Sequence, residues 1–255
     1  MKKFLIAPAI ILSAVLIMEA TTPKVIAHRG HFNAEGSAQN SIRALIKADS
    51  IGADYSEFDV WMTADSVLVV NHDATFRGVD MEHSPASIVT AQKLDNGENL
   101  PTLGDYLSAA KNLNIKLICE IKVHDSLKHE QECIRRTVEM IKNFGLEDRT
   151  EYVTFSKNGI LTLVKICPKG TSIQYPKGDY LPEQLHFMGI TGMDYKITVL
   201  KKHPEWIKRA HDLGLAVGIW TINTPEEMQW CIDNSIDYIT CNDPETLIKM
   251  LKDNQ

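Results

Sequence analysis

From residue 24 onward the chain alternates short, β-branched apolar runs with amphipathic helical stretches, and this rhythm limits its fold more than any other feature. Residues 25–28, 55–62, 116–122, 152–155, 172–175, 193–196, 215–222 and 238–241 read as strands. Helical segments follow over 41–51, 102–113, 127–144, 159–166, 182–188, 204–213, 225–232 and 244–251. Thr102 and Thr224 stand where N-caps belong, and Gly145 and Gly214 where helices stop. Strands joined by helical crossovers pair in parallel. About eight such units in 255 residues predict an α/β fold of the closed (β/α)8, TIM-type class rather than an open doubly wound sheet. No GxGxxG or Walker-type loop supports nucleotide binding. A further apolar run, 67–71, leads to His72-Asp73. Residues 74–100 break the rhythm with Gly78, Pro85 and Asn96-Gly97, and read as a small insertion after the second strand region, over the site.

The first twenty residues differ in kind. Lys2 and Lys3 precede an uncharged, mostly apolar run from Phe4 to Met18, which reads as a secretory signal peptide over residues 1–20. Residues 21–255 are then one barrel domain, periplasmic or secreted. An uncleaved membrane anchor is the alternative, but the run is shorter than the ~20 residues that span a bilayer. No lysine-rich amphipathic helix offers a membrane-docking face, so no stable membrane association is expected after the leader is removed. A net charge of −6 excludes nucleic-acid binding through nonspecific phosphate contacts. Any phosphate chemistry must come from a focused local site. The five cysteines are odd in number and form no CxxC pair, so they read as free thiols rather than a disulfide framework or a zinc site. The oligomeric state stays open.

The chemistry concentrates at strand ends, where barrel enzymes place it. The first strand runs into His28-Arg29-Gly30, the glycine permitting a sharp turn. In Tyr55-Ser56-Glu57-Phe58-Asp59-Val60, Glu57 and Asp59 share one face of the strand while Phe58, Val60 and Met62 occupy the other. Glu120 and Lys122 pair in the same way on the strand of residues 116–122, and Trp220 has inward parity on 215–222. A carboxylate pair on a buried strand is costly without a positive partner. Glu57, Asp59 and Glu120 make an all-oxygen set that suits Mg²⁺, Ca²⁺ or Mn²⁺ better than Zn²⁺. Arg29 and Lys122 can hold an oxyanion beside such an ion. His28 and His72 can supply a general acid and a general base at neutral pH. Each element alone has an ordinary structural reading, a hydrogen-bonded histidine or a solvated carboxylate. Their coincidence at equivalent strand ends is what phosphoester cleavage requires: charge neutralisation, an activated nucleophile and a protonated leaving group.

These residues resemble a known family. His28-Arg29-Gly30, then Asn40, Gly52-Ala53-Asp54, Glu57-Phe58-Asp59-Val60, His72-Asp73, Glu120-Ile121-Lys122, Trp220-Thr221-Ile222-Asn223 and Asp237-Tyr238-Ile239-Thr240 together are similar to the glycerophosphodiester phosphodiesterase pattern, over about residues 24–251. The resemblance implies a TIM-type barrel that hydrolyses glycerophosphodiesters, small-molecule substrates, to glycerol 3-phosphate and an alcohol with a divalent cation, Ca²⁺ or Mg²⁺. It implies His28 and His72 as the acid–base pair; our reading takes His28 as the base and His72 as the acid, an order that the sequence alone leaves open because it does not fix the side of the leaving group. By the same resemblance Arg29 binds phosphate, Lys122 contacts substrate, Trp220 lines the pocket, and Glu57, Asp59 and Glu120 ligate the metal. Three departures stand out. Ala38-Gln39-Asn40 replaces Pro-Glu-Asn, Ser66 replaces a glycine, and the insertion matches poorly. A phospholipase of C or D type on the same barrel and a non-catalytic head-group-binding protein are the rival readings.

Overall fold

The computed structural model describes residues 22–253; the expected leader, 1–20, lies outside the described residues. Eleven strands are present among them: β1 (Lys24–Ala27), β2 (Tyr55–Met62), β3 (Leu68–Val70), β4 (Thr75–Phe76), β5 (Val79–Asp80), β6 (Lys116–Ile121), β7 (Thr150–Val153), β8 (Ile173–Tyr175), β9 (Gly192–Lys196), β10 (Ala216–Ile222) and β11 (Tyr238–Cys241). The main sheet runs β1-β11-β10-β9-β8-β7-β6-β2, and β1 also pairs with β2. Eight parallel strands therefore close into the expected barrel. β3 joins outside it, antiparallel to β2.

The period of two in β2 holds: Phe58, Val60 and Met62 pack outward among the helices, in the cluster that forms the bulk of the core. Inside the barrel a smaller layer of Ile26, Tyr55, Ile118 and Val153 fills the lower lumen. Below it the Glu151 carboxylate accepts from Tyr55 Oη (2.6 Å), Ser172 Oγ (2.7 Å) and Gln174 Nε2 (2.7 Å). That acid is fully tied off.

Capping chemistry sets the helix ends. Thr102 caps Leu103–Ala110 with a reciprocal bond to Asp105, and Thr224 caps Pro225–Asp233. The sequence reading places one helix between β9 and β10, whereas the structure has two, Ile197–Lys202 and Glu205–Asp212. The first is short, its Thr198-Val199 pair disfavours a helix, and burial of Ile197 and Leu200 overrides that preference. Residues 74–100 form the β4–β5 hairpin and a short helix, Ala86–Val89. They pack in a separate cluster of Trp61, Val69, Met81, Val89, Leu94 and Leu100, with Ala38. All five cysteines are free.

Candidate active site

β2 sets the centre of the site. Glu57 and Asp59 point into the barrel, and the β2–β6 register places Asp59 opposite Glu120. One oxygen from each of these three carboxylates lies within 4.8 Å of the others. Glu57 Oε2 accepts the Arg29 backbone N–H at 2.8 Å. Its other oxygen, Oε1, is buried with no hydrogen-bond partner among the described residues. An enclosed acceptor without a donor is costly. Burial, then Asp59 and Glu120, hold the Glu57 carboxyl well above the usual range. Burial also raises Glu120. For Asp59 the Lys122 ammonium, with His72, Asn40 and Arg29, outweighs burial and keeps the group ionised below its usual range. A hard divalent cation is the counterpart that this crowded oxygen set lacks, so the residues fit one.

Asn40 locks the middle carboxylate. Its Nδ2 donates to Asp59 Oδ2 (2.8 Å), and its Oδ1 accepts the Asp59 N–H (3.2 Å). Asn40 does this from the left-handed region (φ 59°), which asparagine tolerates better than most residues. Arg29 is also left-handed (φ 54°), and Gly30 follows at φ 74°. β1 therefore ends at Ala27, one residue before the expected boundary, and the chain turns through Arg29 and Gly30 to bring the Arg29 N–H to Glu57. A side chain at Gly30 would place Cβ 2.7 Å from the Ala44 backbone. Glycine is required there by both conformation and space.

Two cations flank the acids. Lys122 Nζ binds Glu120 Oε1 (2.6 Å) and Asp59 Oδ1 (3.0 Å). Burial alone would lower this lysine, but the two carboxylates prevail and hold its ammonium above the usual range. Arg29 Nη1 donates to Gln39 Oε1 (2.5 Å), while Nε, 3.9 Å from Asp59 Oδ2, is enclosed without a hydrogen bond. Gln39, one of the departures from the family pattern, thus still orients the arginine, and as a neutral acceptor it leaves the guanidinium charge free for an anion.

The two imidazoles have different backing. His28 Nδ1 lies 2.7 Å from Asn242 Oδ1, an acceptor that assigns the proton to Nδ1 and leaves Nε2 with its lone pair. Burial, reinforced by Arg29, lowers this histidine to about 4. His72 Nδ1 meets the Asp73 carboxylate at 2.6 Å, and burial lowers it too, against the Asp59 and Asp73 charges. Asn242 was not singled out from the sequence. The available signal was position: it follows β11 as His28 follows β1, and those strands pair with Ala27 opposite Cys241.

His28, Arg29, Glu57, His72, Glu120 and Lys122 all line one cavity of about 390 Å³, with Trp61, Phe155 and Trp220 as aromatic walls. Asp59 lies behind it, fully enclosed. Trp220 is fixed by Nε1 donating to the Asp194 carbonyl (2.8 Å) and meets Phe155 edge-on. Asp194, also absent from the sequence reading, lines the same cavity. The insertion is anchored beside the cavity: the Glu82 carboxylate accepts the Asp125 N–H (3.1 Å) and pairs with His129 (3.0 Å).

Fold and site together define a (β/α)8 barrel with charged groups converging at the C-terminal ends of its strands. The model of the glycerophosphoryl diester phosphodiesterase family matches residues 28–246, and the chain belongs to that family. It is 42% identical to a glycerophosphodiester phosphodiesterase of known structure from Parabacteroides distasonis, with a TM-score of 0.90 over 91% of this chain and 98% of that one. A glycerophosphodiester phosphodiesterase from Caldanaerobacter subterraneus is 28% identical over 89% of this chain and 97% of its own length. An Oleispira antarctica phosphodiesterase in complex with sn-glycerol-3-phosphate shares the fold at 20% identity and a TM-score of 0.77, over 91% of this chain and 97% of that one.

Proposed function

We propose that the protein hydrolyses glycerophosphodiesters to glycerol 3-phosphate and an alcohol, using a divalent cation held by Glu57, Asp59 and Glu120. The observation that carries this reading is the bare, buried Glu57 Oε1, set among three converging carboxylates in a cavity that two imidazoles also line. When bound, Ca²⁺ or Mg²⁺ would neutralise phosphate charge and polarise the P–O bonds. Arg29 and Lys122 take the non-bridging phosphate oxygens, their charges set by the surrounding acids. His28, neutral and oriented by Asn242, accepts the proton of the attacking hydroxyl at Nε2. His72, backed by the Asp73 carboxylate that favours its protonated form, gives a proton to the departing alcohol oxygen. The difference between an amide and a carboxylate behind the two rings supports this assignment of base and acid. Intact imidazoles and acids favour an enzyme over a silent binding protein. Among the described residues no helix is long and apolar enough to cross a membrane.

The test is product detection on soluble glycerophosphodiesters and on phospholipid vesicles, with and without chelator. Release of glycerol 3-phosphate that chelator abolishes supports the reading, and release of alcohol without metal refutes it. His28→Ala and His72→Ala each should lower kcat by about 10²–10⁴-fold, and a variant with near-normal turnover removes that residue from the chemistry. The Lys2-Lys3 and Phe4–Met18 pattern supports an exported protein, periplasmic or secreted. N-terminal sequencing of the protein from the periplasmic fraction tests this, and an intact Met1 there would refute cleavage.

A further inference from the structure

Asp194 lies on β9, and its side chain enters the cavity wall beside Ile118, Val153, Phe155 and Trp220. Only 8% of the residue is exposed, and its Oδ1 is enclosed with no hydrogen-bond partner among the described residues. The recess that receives it is built by the neighbouring strand. β9 and β10 pair Asp194 with Gly218, and a Cβ at position 218 would stand 2.6 Å from Oδ1. Trp220 is pinned to the backbone of this same residue, so its ring stays beside the carboxyl. Lys196, two residues further on, puts its ammonium over the Trp220 ring at 5.0 Å. In contrast with Glu151, which has donors on both oxygens, Asp194 Oδ1 has none among the described residues, and burial together with the Glu120 and Glu151 charges pushes its carboxyl up to about 8, a state that a cationic partner would reverse. A carboxyl in such a place calls for a partner from the cavity. The phosphate group is provided for by Arg29, Lys122 and the cation that the three acids would hold. The partner is therefore a substituent of the phosphate. Carboxylate and aromatic faces together are the surroundings that an ammonium group prefers.

We infer that Asp194 is a specificity-determining residue that receives the cationic head of the departing alcohol, so that the enzyme favours glycerophosphodiesters of ammonium alcohols over those of uncharged ones. This rests on the phosphodiesterase reading for the choice of substrates. The experiment compares kcat/KM of wild type and Asp194→Asn on glycerophosphocholine, glycerophosphoethanolamine and uncharged glycerophosphoglycerol, with thermal unfolding to confirm folding. Asp194→Asn should lose at least about tenfold more on the two cationic substrates than on glycerophosphoglycerol. Gly218→Ala, which displaces the carboxyl without removing it, should shift the same ratio in the same direction. Equal losses on all three substrates would overturn the inference, because Asp194 would then support the fold or read the shared glycerol. An unchanged ratio would overturn it as well. Binding of choline alone, measured by calorimetry, separates this inference from the reaction. Wild type should bind choline at least about tenfold tighter than Asp194→Asn, even if none of the diesters is turned over. Equal binding by both proteins would refute the role of Asp194 while leaving the hydrolysis in place.

Discussion

Glu57→Gln removes one negative charge from the most crowded point of the barrel while keeping the shape of the side chain. Its Oε can still accept the Arg29 N–H, and its new NH₂ can donate toward Asp59 or Glu120. Carboxylate oxygens within 4.8 Å of one another repel by about 3.5 kcal/mol or more at an effective dielectric of about 20. A second limit comes from titration. Without metal Glu57 is held well above its usual range by burial and its acidic neighbours. Keeping an ordinary glutamate protonated at pH 7 costs at most about 3.7 kcal/mol. Protonation therefore caps what the repulsion can cost, and relaxation of the site lowers the figure further, so Glu57→Gln should stabilise the metal-free protein by about 1–3 kcal/mol at pH 7. A carboxyl raised in the folded state weakens the fold only above its unfolded value. The gain should therefore shrink as pH falls toward about 4.3 and vanish below it. Added Ca²⁺ or Mg²⁺ reverses the order, since wild type gains stability in proportion to RT ln(1 + [M]/Kd) and the variant loses a ligand. Thermal unfolding of both proteins at pH 5 and 7.5, in chelator and in millimolar metal, measures all of this. At about 2–4 °C per kcal/mol for a domain of this size, the shifts are readily resolved. A variant no more stable than wild type in chelator at pH 7.5 would refute the electrostatic account of the trio.

Gly30→Ala should destabilise the fold by about 2–4 kcal/mol, from the left-handed backbone and the contact with Ala44, and lower activity through Arg29; denaturant unfolding that shows less than about 1 kcal/mol would refute the strain. Asn40→Ala removes both bonds to Asp59 and should cost about 2–4 kcal/mol, with weaker metal affinity by calorimetry. Because burial and Arg29 lower His28 to about 4, its basic form persists through mildly acid solution. The acid limb of kcat/KM should fall near pH 4–5, and a limb at the ordinary imidazole value of about 6.5 would remove His28 as the base.

Much of this was legible in the residues because period-two geometry is stringent. Once Phe58 and Val60 face the helices, Glu57 and Asp59 must face the lumen, and strand β2 has the bounds its sequence indicates. Asn242 and Asp194 were not legible for a different reason. Their meaning depends on which strands are neighbours: β11 beside β1 puts Asn242 against His28, and Gly218 opposite Asp194 makes a recess. Neither pairing leaves a local mark on the chain. The short helix Ile197–Lys202 escaped because packing, rather than its own propensity, stabilises it.

The insertion has an apolar centre of its own, from Ala38 to Leu100, separate from the main core. It meets the barrel through Trp61, a cavity wall on the same strand as Glu57 and Asp59, and through Glu82 at Asp125 and His129. Changes within that apolar centre can therefore be absorbed by its own packing before they reach the acids on the strand beside it.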